Sequence, residues 1–230
     1  MARMDRTIDV PHLPQIPQVR AIREPTMESD AHQRAAFIRP ERCLLAIRRH
    51  GKPIPYHAVQ RPPPDSSNEG FRVLKGRPSD EALAIKEVAD VEALQRFVID
   101  INRAESGFFS VGCEKAFNFD PRCGHWGRGY VEFSFNDSAL VVDAQKYFKL
   151  FFEFSAVMSD PSAPKDVYYC WELDGAHFTS VDLGGFTCAV WIQTDDFDSE
   201  VAARAAWSNG LDFLTEFLNQ FDHTPVAPIY

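Results

Sequence analysis

The clearest patterning in the chain lies in its second half. In "YVEFSFN", Val131, Phe133 and Phe135 alternate with Glu132 and Ser134, the period of a half-buried strand. "FFSVGCEKAFNF" before it reads as a second strand, and residues 120–130, "DPRCGHWGRGY", as a connecting loop of about nine residues. Ahead of this hairpin, "EALAIKEV" (81–88) reads as a short strand. Asp90 then caps a helix in which Val91, Leu94, Phe97, Val98 and Ile101 recur at helical spacing. "DSALVVDAQKYFKLFFEFSAVMSD" predicts one long helix, with Tyr147, Phe148, Phe151 and Phe154 on a broad apolar face and Gln145, Lys146, Lys149 and Glu153 on a narrow polar strip. "VYYCWELDGAHFTSVDLGGFTCAVWIQT" reads as a three-strand meander, turning at Asp174-Gly175 and Gly184-Gly185. A last helix, capped by Asp198 or Ser199, carries the stripe Trp207, Leu211, Leu214, Leu218 and Phe221. Gly210 inside it predicts close approach to a neighbour. The order of elements implies an α+β fold: a mostly antiparallel twisted sheet of five to six strands with three helices packed on it.

The first 80 residues have another character. They hold 11 of the 16 prolines and three aromatics, Phe37, Tyr56 and Phe71. "VPHLPQIPQVRAIREP" predicts an extended arm, and "QRPPPDSSNEG" (60–70) a linker. "RPERCLLAIRRHG" predicts a short helix near 40–50, with Pro40 in its first turn and Gly51 at its end. The division is therefore a Pro-rich arm over 1–80 and an α+β domain over 81–230, with an arm around 7–25 that two subunits of a homodimer could exchange.

Charge sharpens that division. The formal net charge is −9, yet residues 1–80 carry 14 Lys and Arg against 9 Asp and Glu, while 81–230 carry 10 against 24. An acidic body repels phosphate backbones, so direct nucleic-acid binding by it is not expected; it attracts basic proteins. No apolar run is long enough to span a membrane, and no secretory signal is visible. Five cysteines without paired spacing read as reduced thiols in a cytoplasm.

Candidate chemistry concentrates in 120–130. Gly124, Gly127 and Gly129 suit a turn, so a plain hairpin loop accounts for the stretch. Arg122, His125, Trp126 and Arg128 together also suit recognition of a protein or an anionic group. Cys123 and His125 are the candidate nucleophile and base, though neighbours two apart seldom align for catalysis and no third orienting group is evident. Cys113, Cys123 and His125 fall short of a zinc set, so no metal and no cofactor is expected. Asp195, Asp196 and Asp198 form a helix-start acid cluster and a contact for a basic partner. His177 and the pair Asp222-His223 lack catalytic companions, and no P-loop or dinucleotide fingerprint occurs. Two functions follow. The first is a non-catalytic, cytoplasmic protein-binding module of bacterial or phage type, an inhibitor or immunity-like protein that neutralises a basic partner. The alternative is an enzyme or small-ligand protein with a pocket beside 120–130.

Overall fold

In the computed structural model, the residues described are 36–38, 42–56, 70–221 and 225–230. All of them belong to one compact unit, Gln33–Tyr230. The arm around 7–25, nearly all of the 60–70 linker and the Asp222-His223 pair lie outside them.

Six strands form one sheet in the order β1-β2-β5-β6-β4-β3. They are β1 Ala36–Ile38, β2 Cys43–Ile54, β3 Phe108–Asp120, β4 Gly124–Phe135, β5 Val167–Phe178 and β6 Leu183–Thr194. β2 pairs parallel with β5, and every other neighbour is antiparallel. The helices are α1 Ser79–Leu83, α2 Glu92–Ile101, α3 Ser138–Val141, α4 Ala144–Val157 and α5 Glu200–Asn219, with a 3-10 turn at Lys86–Val88. The fold is α+β, a six-stranded sheet with helices packed on it.

Odd-numbered residues of β4 and β5 meet the helices. Trp171 is fully buried against Phe151 and Phe154 of α4 and Phe133 of β4. Trp207 of α5 donates from Nε1 to the Ile192 carbonyl at 3.1 Å. Gly210 lets α5 reach β5: a Cβ there would lie 2.9 Å from Val167 Cγ1, and the Tyr169 hydroxyl donates to its carbonyl at 2.9 Å. Arg96 of α2 holds Asp212 of α5 through two nitrogens.

Several local expectations are corrected. The helix near 40–50 is strand β2: an inner strand is buried on both faces, so its apolar run loses alternation and mimics a helix stripe. The strand at 81–88 is α1 followed by the 3-10 turn, entered through extended Pro78, with Asp80 and Glu81 favouring the first turn. The helix after it is capped at Val91, and Asp90 instead pairs with Lys115 at 2.6 Å. The long helix breaks into α3 and α4 because Asp143 caps the second, accepting from Gln145 N at 2.9 Å. The meander has two strands. Asp174-Gly175 and Gly184-Gly185 lie inside β5 and β6, which pair without interruption from Val167↔Thr194 to Phe178↔Leu183. The turn falls at 179–182, where Asp182 takes φ 48°.

Candidate functional site at the hairpin tip

The 120–130 stretch is mostly strand. β3 runs to Asp120 and β4 starts at Gly124, so the connection is Pro121, Arg122 and Cys123, not nine residues. The tip closes on its own chain: Arg122 N donates to Asp120 Oδ1 at 2.9 Å, and Cys123 N to Asp120 O at 3.1 Å. The exposed Arg122 guanidinium returns to the Asp120 carboxylate at 3.3 Å.

Two glycines are demanded by geometry. Gly124 has φ +98°, and a Cβ there would lie 2.4 Å from the Phe197 carbonyl oxygen. A Cβ on Gly129 would lie 2.3 Å from the Glu114 carbonyl and 2.8 Å from Trp207 Cζ2, so this residue admits the α5 tryptophan rather than making a turn.

The approach at Gly124 has a consequence for the site. His125 N donates to Phe197 O, and Phe197 N to His125 O, both at 2.7 Å. This bridge joins the hairpin tip to the segment holding Asp195, Asp196 and Asp198, two groups of residues far apart in sequence. Thr194 fastens the same junction, its Oγ1 accepting from Gly127 N at 2.9 Å and donating to Asp195 O at 2.8 Å. Ser199 caps α5 through Ala202 N. Asp195 is partly engaged with Arg42 at 3.7 Å, while Asp196, Asp198 and Glu200 are exposed. Phe119 is 62% exposed and lies against the His125 ring, centroids 4.7 Å apart. The tip thus offers an aromatic side chain and an arginine beside an acidic rim.

The candidate groups divide between the sheet's faces. His125 shares a face with Phe117 and Gly127, towards α5, whereas Trp126 and Arg128 lie on the other, Arg128 stacking 4.8 Å over the Trp191 ring. Cys123 is a free, half-buried thiol. Cys113 pairs with Val131, far down the hairpin from Cys123, and burial pushes its thiol up to about 12. His177 is exposed and contacts Asp182 at 3.0 Å. Among the described residues, no three His, Cys, Asp or Glu side chains stand close enough to hold a metal ion, and no helix is long and apolar enough to cross a membrane.

A second polar assembly, missed in the sequence, occupies the face turned away from α4 and α5. Glu132 and Glu172 flank Ala189 in one row across the sheet, and Asp174 stands opposite Thr187 in the next. Glu132 and Glu172 are 4% and 8% exposed. Lys52 and Arg48 of β2 pair with them respectively, and Trp191 Nε1 donates to Glu172 at 2.9 Å. Oδ1 of Asp174 and Oγ1 of Thr187 are buried without a hydrogen-bond partner among the described residues. Burial first, then the neighbouring Glu132, pushes the Asp174 carboxyl up to about 6; burial also raises Glu172 against the pull of Arg48. Glu132 was legible as the polar position of an alternating strand. Its burial was not, because the lysine reaching it starts three strands away.

The fold and these contacts define an α+β protein with an aromatic, acid-rimmed hairpin tip. No family profile matches the chain, and no curated protein or solved structure matches it.

Proposed function

We propose that the chain is a protein-binding module without catalytic chemistry of its own, which takes up a basic partner protein at the hairpin tip and acts as an inhibitor or immunity-like protein. One observation carries this reading. The His125–Phe197 bridge joins the tip that carries the exposed Phe119 and Arg122 to the segment that carries the exposed Asp196 and Asp198. Interfaces draw their energy from a few aromatic and arginine anchors, and complementary charge brings the partner in quickly. The acidic balance of residues 81–230 extends that attraction over the whole body.

The test is binding to a panel of purified basic nucleases and toxin domains, with lysozyme as a control for charge alone. A cognate partner binds one to one and weakens about tenfold or more between about 50 mM and about 300 mM salt. The double variant Phe119→Ser, Asp198→Lys loses that partner while keeping its fold by circular dichroism. Failure of every basic protein to bind even at low salt, or binding indifferent to both salt and the double variant, overturns the reading.

A further inference from the structure

An outer strand offers unpaired N–H and C=O groups to any extended chain, and proteins blunt such edges with side chains, bulges and lysines. β3 is an outer strand of thirteen residues. Its first part is blunted thoroughly. Lys75 Nζ donates to Phe108 O at 2.7 Å, Asn102 Oδ1 accepts from Ser110 N at 3.1 Å, and the Tyr56 hydroxyl donates to Val111 O at 3.1 Å. The register then breaks between Ser110 and Gly112.

Among the described residues, the backbone from Gly112 to Phe119 makes no hydrogen bond beyond its ladder with β4. The lysine that would guard this stretch is drawn away: Lys115 Nζ sits on Asp90 at 2.6 Å and on the Glu87 carbonyl, leaving its side chain 12% exposed. Glu114 is exposed on the strand and points to the face opposite the Lys115–Asp90 pair. An edge that is open in backbone and carries the exposed Glu114 as its unpaired charge among the described residues, with Lys115 turned onto Asp90, fits a basic extended segment. Antiparallel pairing of a second copy of β3 centred on Phe117 would set Glu114 against Asp120.

We propose that the β3 edge from Gly112 to Phe119 accepts an extended basic segment of the partner protein as a seventh strand, through main-chain hydrogen bonds and through lysine or arginine side chains facing Glu114. The proposal rests on the reading of the chain as a binder of basic proteins. It adds the mode of capture and a surface separate from the acids of 195–200.

The test uses the full chain and a blocked peptide of about ten residues alternating lysine and valine. Its controls are an alternating glutamate–valine peptide and the lysine peptide N-methylated at every second residue. The lysine peptide is expected to slow hydrogen exchange about tenfold or more at alternate amides between Cys113 and Phe119, and Glu114→Lys to weaken it about tenfold. The Asp198→Lys variant still takes the peptide. Protection elsewhere, equal binding of either control peptide, or protection of these amides in the free protein that grows with its own concentration overturns the proposal. If no basic protein binds the chain while the peptide still protects β3, the tip reading falls and the edge stands. If a partner binds at the tip and leaves the β3 amides unprotected, the edge falls and the tip reading stands.

Discussion

Gly124 is the residue on which the site most directly turns. Its positive φ and the Phe197 oxygen 2.4 Å from a would-be Cβ leave no room for alanine. Gly124→Ala is expected to cost about 2–4 kcal/mol in denaturant unfolding and to free the amides of His125 and Phe197 for exchange. Lys75 makes a structural counterpart: its ammonium donates to Arg103 O and Phe108 O, each at 2.7 Å, and to Ser106 O. Lys75→Met strips three carbonyls of their donor and is expected to cost about 1–3 kcal/mol, read the same way. Asp174 bears on pH. With its folded carboxyl at about 6, above the ordinary 3.8, the native state takes up a proton that the unfolded chain does not. Its penalty is therefore present above pH 6 and vanishes as pH falls towards 4. Glu132, Glu172, Arg48 and Lys52 share this face and set the local field. Asp174→Asn is expected to stabilise the protein at pH 7–8 by about 1–2 kcal/mol, allowing for partial solvent screening. Melting curves at pH 4 and pH 8 check it: the gain is absent at the lower pH.

At the scale of elements, α4 and α5 dominate the core. Phe154 meets Tyr169, Trp171, Phe213 and Phe217, with ring centroids 4.8 to 5.8 Å apart. Phe154→Ala is expected to cost about 3–5 kcal/mol in chemical denaturation, since four rings cannot collapse into the hole. The stripes of α2 and α5 were legible because a helix covered on one side keeps its 3.6-residue period. β2 was not: Cys43 and Leu45 point to the helices, yet Leu44 and Ala46 are also covered to some degree, and the alternation blurs. The false turns at Asp174-Gly175 and Gly184-Gly185 share a cause. Turn residues specify a turn only where no neighbouring strand claims their backbone, and β2 and β6 claim that of Gly175.

For the whole molecule, opposite charge on the two parts of the chain is used internally as well as outwardly. Arg48 and Lys52, from the basic front part, neutralise Glu172 and Glu132 of the acidic body, while Asp196 and Asp198 remain at the surface. Composition and periodicity determined the α+β class, the helical stripes, the odd tip and the acidic body, because each depends on residues near one another in the chain or on a sum over all of them. Only the tertiary structure decided that β2 is an inner strand, that Gly129 makes room for Trp207, that His125 is bridged to Phe197, and that β3 is an outer strand. Those outcomes depend on which distant strand supplies the next row of hydrogen bonds, and no local pattern of side chains records that choice.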